Sequence, residues 1–151
     1  MSFEIRILCF GQDDPKKCTA KRLERFGYSD NYNSLKHLPA RGVVLDPFSD
    51  KLLSFADEKL CEVGGLVGVD CSWNLAEKTF SSLRLMGLEP RKLPDITPAN
   101  PVNSGKIGKL TTAEALASAL MLCGKKEQSI QIMSIFKWGP AFLRMNSHIW
   151  Q

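Results

Sequence analysis

Apolar positions dominate residues 3–10, with Ile5, Ile7 and Cys9 on one face and Arg6 and Leu8 on the other, and this period of two predicts a first strand. Residues 11–15 break it. Thr19 stands where it can cap a short helix that carries Leu23 and Phe26 inward and closes at Gly27. Residues 28–39 are polar and Asn-rich and read as a loop. Gly42, Val43, Val44 and Leu45 form a second strand, stopped by Asp46 and Pro47. Ser54, with Asp57 in the first turn, opens a short helix that ends before Gly64 and Gly65. Residues 66–70 are a short apolar run typical of a buried strand. A helix over residues 74–85 follows, with Leu75, Phe80, Leu83 and Leu85 as its core side chains, and residues 91–93 make a last brief strand before Pro94.

The pattern then changes. Residues 97–108 hold Pro98, Pro101 and Gly105 and read as an ordered loop. Thr111 with Glu114 is a capping box, and the helix it opens is apolar nearly all round, as a buried helix is. Gly124 ends it. Residues 127–136 and a segment from Pro140 to Arg144 give two further helices. Strands alternate with helices up to residue 92, and only loop and helix follow. The expected architecture is therefore α/β: a mainly parallel sheet with helices over residues 1–92, packed against an all-helical lobe over residues 93–151. In open α/β sheets ligands bind beyond the carboxyl ends of the strands. Here those ends are Leu45–Asp46–Pro47, Val69–Asp70 and Leu93–Pro94.

The chain of 151 residues is 44% hydrophobic and 24% charged, the composition of an ordinary globular protein. No run approaches the roughly 20 apolar residues a membrane span needs. Residues 1–6 lack the basic-then-apolar order of a signal peptide, so a cytoplasmic protein is expected; a monomer is the working expectation. The five cysteines include no Cys-x-x-Cys pair, and His37 and His148 stand apart, so reduced thiols are expected and no metal site. The net charge of +4 is mild, but Lys16, Lys17, Lys21, Arg22 and Arg25 fall within ten residues, opposed only by Glu24. That cluster suits either phosphates or a solvated helix face.

Asp70 directly follows an apolar strand, where an acid serves as a base or polar anchor, or caps the next helix. Trp73 can stack on a planar ligand or fill the core between lobes. Asn100 and Asn103 flank a Pro-stiffened turn that either orients a substrate or closes on itself through side-chain bonds. Capping accounts for one of Thr111 and Thr112 and leaves the other available at a helix N-terminus. No Gly-x-Gly-x-x-Gly or Gly-Lys-Ser/Thr loop is present, which disfavours dinucleotide and nucleoside-triphosphate enzymes.

Six blocks, taken in order, resemble the ribosomal small-subunit RNA aminocarboxypropyltransferases of archaea and eukaryotes, relatives of the SPOUT RNA methyltransferases. They are residues 14–23 (DPKKCTAKRL), 45–49 (LDPFS), 69–73 (VDCSW), 99–105 (ANPVNSG), 109–117 (KLTTAEALA) and 136–146 (FKWGPAFLRMN). Their order is more specific than any one block. The resemblance implies a SPOUT-like trefoil knot and transfer of the 3-amino-3-carboxypropyl group of S-adenosylmethionine to a methylated pseudouridine of small-subunit ribosomal RNA. It implies cofactor contacts from Thr19, Leu45, Pro47, Val69, Trp73, Ala76, Leu93 and Thr112, with Trp73 and Ala76 walling the methyl group. It gives Asp70 a part in deprotonating or orienting the uracil ring, and Lys16, Lys17, Lys21, Arg22 and Arg25 the RNA phosphates.

Departures from the family pattern sit around Gly105. Ser104 and Gly108 replace two tyrosines and Ile107 a proline, so an aromatic that would close over the cofactor is missing at position 108. Two other readings stay open at this point: a SPOUT-type methyltransferase, and a non-catalytic RNA-binding ribosome-assembly factor.

Overall fold

The computed structural model of the chain describes residues 2–10, 18–107 and 109–151, with the side chain of Trp73 outside that description. Among the described residues five strands form one sheet, β1 (Ile5–Cys9), β2 (Asp30–Tyr32), β3 (Val43–Leu45), β4 (Leu66–Asp70) and β5 (Glu89–Arg91), in the order β2-β1-β4-β3-β5. Every pairing is parallel. The central pair runs from Ile5 opposite Leu66 to Cys9 opposite Asp70. Parallel neighbours require crossovers. Helices α1 (Thr19–Arg25), α2 (Glu58–Gly64) and α3 (Trp73–Leu85) lie between strands, and α4 (Thr112–Leu122), α5 (Lys126–Met133) and α6 (Gly139–Met145) follow the last of them.

Strand periodicity sends successive side chains to opposite faces. Ile5, Ile7, Val43, Leu45 and Leu66 join one buried cluster with Leu116, Leu120, Ile132 and Phe142 from α4 to α6. Leu8, Val44 and Val67 face the other way and join Ala76, Phe80 and Leu83 of α3. The sheet is thus covered on both faces, and α4 shares its core directly with β1, β3 and β4. Gly68 permits that approach: a Cβ there would stand 3.3 Å from Leu116 and 3.5 Å from Thr112. Among the described residues no helix is long and apolar enough to cross a membrane.

Several local expectations are corrected. Residues 28–39 are not all loop, because Asp30–Tyr32 pairs with β1 as an edge strand. Its polar side chains carry no strand signal, and tertiary bonds hold it: the Asn31 amide donates to Glu24 and its Nδ2 to the Ala20 carbonyl. The last strand ends at Arg91 rather than starting there. Arg6 is fully buried, its guanidinium donating to the carbonyls of Arg41 and Gly64 and pairing with Glu4. In α3 the inward stripe is Ala76, Phe80 and Leu83, while Leu75 and Leu85 face solvent. Phe26, expected in the core, is 51% exposed, and Ala20 and Leu23 anchor α1 in the core.

Candidate active site

Beyond the carboxyl ends of β3, β4 and β5 lies a cavity of about 630 Å³. That is the place a doubly covered parallel sheet leaves for a ligand, and the size suits a small molecule. Leu45, Asp46 and Pro47 come from the end of β3, and Val69, Asp70 and Cys71 from the end of β4. Lys92, Leu93 and Pro94 follow β5. Cys18 and Thr19 open α1, and Leu110, Thr111, Thr112 and Ala115 open α4. Ala76 and Phe80 of α3 complete the apolar part of the wall. A second cavity, of about 650 Å³ and lined by Met133, Leu143 and Trp150 among others, shares no lining residue with it and offers no side-chain carboxylate or thiol among the described residues.

Each wall is pinned by a buried polar contact. Asp46, 1% exposed, accepts from the Phe48 amide at 2.8 Å and from Arg84 at 2.6 Å, which holds the Pro47 turn. Thr19 does not cap its own helix. Cys18 occupies the N-cap position, and the Thr19 hydroxyl instead accepts from the Ala113 amide at 3.1 Å, joining the starts of α1 and α4. Thr111 makes the expected capping box with Glu114 and leaves Thr112 to line the cavity.

Glu114 does more than cap. It is fully buried, and one oxygen accepts from the amides of Ala99 and Asn100, the other from Asn100 Nδ2 and the Thr111 amide. Asn100 Oδ1 in turn accepts from the Asn103 amide. Asn100 is therefore a turn-closing residue of the 97–107 loop, and only Asn103 reaches the cavity wall.

Asp70 is half-buried at the mouth of β4, with the buried thiols of Cys9 and Cys18 donating to its Oδ2 at 3.7 and 3.5 Å. Burial, with the neighbouring Asp70 charge, pushes the Cys18 thiol up to about 11. At neutral pH it is therefore a protonated donor to Asp70. The two sulfurs and the carboxylate lie within 4.8 Å of one another, a donor set that could hold a soft divalent ion only after both thiols lose their protons.

Thr19, Leu45, Pro47, Val69, Asp70, Ala76, Leu93 and Thr112 thus all line one cavity. Trp73 is the first residue of α3, its side chain outside the described residues, as are Lys16, Lys17 and Gly108. Lys21, Arg22 and Arg25 lie on α1 outside the cavity lining, Arg22 resting 5.4 Å above the Phe136 ring. The sequence reading placed Asp46 at a ligand-facing strand end without giving it a contact, and it missed Phe80, Lys92 and Leu110 as wall residues. Position at a strand end marked Asp46, and position just before a helix cap marked Leu110; nothing local marked Phe80 or Lys92.

Comparison with known proteins bears on the family and the fold. A family model described as "Ribosome biogenesis protein, C-terminal" matches residues 43–151. A second, described as a possible Fer4-like domain in RNase L inhibitor, matches residues 4–33. That stretch holds two cysteines, Cys9 and Cys18, and does not supply the four thiolates an iron–sulfur cluster takes. The 16S rRNA aminocarboxypropyltransferase of Methanosarcina acetivorans is 43% identical over 90% of this chain and 76% of its own length. That of Methanopyrus kandleri is 45% identical over 88% and 78%. The solved structure of the SAM-dependent rRNA:acp-transferase Tsr3 from Vulcanisaeta distributa superimposes with a TM-score of 0.92 at 35% identity, covering 99% of this chain and 82% of that one. With two thirds of each relative's length matched at such identity, the chain belongs to the family of 16S rRNA aminocarboxypropyltransferases.

Proposed function

We propose that this chain binds S-adenosylmethionine in the strand-end cavity and transfers its 3-amino-3-carboxypropyl group to a methylated pseudouridine of small-subunit ribosomal RNA. The observation that carries the reading is the convergence of Thr19, Leu45, Pro47, Val69, Asp70, Ala76, Leu93 and Thr112, scattered over 94 positions of sequence, on one cavity wall. The donor set suits the molecule: apolar side chains for the adenine and methyl groups, an acid for a sulfonium cation, and a helix start for a carboxylate. When bound, the sulfonium supplies an electrophilic side-chain carbon, which bonds to the uracil ring nitrogen as its bond to sulfur breaks and methylthioadenosine departs.

The chain's own work is positioning, since a sulfonium offers three carbons to a nucleophile. Ala76 and Trp73 bury the methyl group, so the carboxypropyl carbon is the one left facing RNA. Leu45, Val69 and Leu93 exclude water from the base and sulfur. Asp70, held in place by the thiols of Cys9 and Cys18 that donate to its Oδ2, accepts the ring proton or holds the ring by a hydrogen bond. Lys16, Lys17, Lys21, Arg22 and Arg25 take the RNA phosphates.

The SPOUT-like knot, the division at residues 92 and 93, a cytoplasmic location and a monomeric state complete the reading. The family resemblance supports the first, and the change of pattern after β5 supports the second. Mass spectrometry after incubation with S-adenosylmethionine and RNA carrying the methylated pseudouridine tests it. Methylthioadenosine with the matching mass gain on RNA is the expected result. S-adenosylhomocysteine would make the chain a methyltransferase, and RNA binding with neither product would make it an assembly factor.

A further inference from the structure

We propose that the exposed ring of Phe26, at the C-terminal end of α1, is a base-stacking platform for the single-stranded RNA that flanks the modified nucleotide. The inference rests on the RNA-substrate reading above and adds a second point of contact, outside the cavity.

Phe26 is the C-cap of α1 and 51% exposed, although it is the size of a core residue. Its ring is backed by Tyr28, the centroids 6.3 Å apart and the planes within 17° of parallel. Tyr28 is half-buried and packed against the main core, so the pair is anchored from beneath. An exposed ring held near-parallel to an anchored second ring is what a nucleobase stacks on.

The surroundings select nucleic acid over an apolar partner. Lys21, Arg22 and Arg25 lie on the same short helix, and among the described residues none of them pairs with a carboxylate. Glu24, the one acid of α1, is occupied by the Asn31 amide. Arg22 is exposed, and its guanidinium lies 5.4 Å over the Phe136 ring, a contact with the cation that leaves N–H donors for phosphate. Cations in the last turn also complement the helix dipole, which accounts for Arg22 and Arg25 but not for an exposed aromatic beside them.

Continuity with the cavity sets which RNA this is. Cys18 and Thr19, at the start of α1, line the cavity, and the seven-residue helix spans only about 10 Å to Phe26. A strand whose target nucleotide enters the cavity therefore passes the platform within a few nucleotides, its phosphates on the basic side chains and one flanking base on Phe26.

The test compares affinity for a single-stranded RNA of about 12 nucleotides with affinity for duplex RNA of equal length, across a salt series, in the full chain. Phe26→Leu, which keeps apolar bulk but removes the aromatic face, is expected to weaken single-strand binding about 5- to 100-fold without changing the salt slope. Its duplex binding and S-adenosylmethionine affinity stay at the wild-type level, and Phe26→Tyr binds as wild type. Arg25→Ala weakens both RNAs and lowers the salt slope by about one. Wild-type single-strand affinity in Phe26→Leu, or an equal loss on duplex, overturns the platform while leaving the substrate reading intact. Intact RNA binding with lost association to small-subunit particles would make the face a protein-docking surface and also overturn it. A wild-type chain that binds no RNA overturns both readings together.

Discussion

The hydroxyl of Thr19 accepts a hydrogen bond from the backbone amide of Ala113 at 3.1 Å, across 94 positions of sequence. One residue of the basic helix thereby satisfies an amide that the first turn of α4 cannot pair internally. The two helix starts that flank the cavity are fixed to each other.

Thr19→Val keeps the shape and removes the acceptor, leaving the buried Ala113 amide unpaired. The expected cost is about 1–3 kcal/mol, read as a fall of roughly 2–10 °C in thermal midpoint for a domain of this size. Thr19→Ser should restore most of it. A Val variant as stable as wild type would mean the bond contributes nothing.

Glu114→Gln replaces one acceptor oxygen of a carboxylate surrounded by donors with an amide that donates. At least one of the Ala99, Asn100 and Thr111 groups loses its partner, at an expected cost of about 2–4 kcal/mol. Amide hydrogen exchange at Ala99, Asn100 and Asn103 should accelerate well beyond exchange in α5. Uniform acceleration across the chain would argue for a global role instead.

Cys18 should resist alkylation at pH 8, because its thiol is raised to about 11 by burial and the adjacent Asp70. Its folded value lies above that of an unfolded cysteine, so the unfolded chain releases this proton first. The contribution to stability is complete below about pH 8.5 and is lost as pH rises toward about 11. Peptide mapping after iodoacetamide treatment reads this directly. Rapid modification of native Cys18 at pH 8 would contradict the assigned environment.

Ala76 is 3% exposed and lines the cavity, so Ala76→Phe should fill space rather than break bonds. S-adenosylmethionine affinity, measured calorimetrically, is expected to fall at least about 10-fold, with a stability change of about 1–3 kcal/mol from overpacking. Undiminished binding would place the cofactor elsewhere.

Much of the fold is legible in the chain because its signals are local. The run 66–69 is apolar without interruption because β4 is central in a sheet covered on both faces, and the Thr111–Glu114 box marks the start of α4 within one turn. The edge strand Asp30–Tyr32 left no such mark, since Asp and Asn are poor strand formers and β1 alone supplies its ladder. The stripe of α3 was half read: Phe80 and Leu83 were found, but Ala76 was hidden among larger neighbours that face solvent. Of the site, strand ends and helix starts were readable as places where ligands gather.

By itself the sequence determined the alternation of strand and helix, the helix start at Thr111 and, through six ordered blocks, the family. Periodicity and capping depend on atoms within a few residues, so they are written in the local order of side chains. Tertiary structure alone decided that Thr19 pairs with an amide in the first turn of α4 instead of capping α1, that Glu114 holds Asn100, that Arg6 is buried and that Phe26 is not. Those outcomes depend on which distant backbone groups need partners once the sheet is covered on both faces, and no spacing along the chain encodes that.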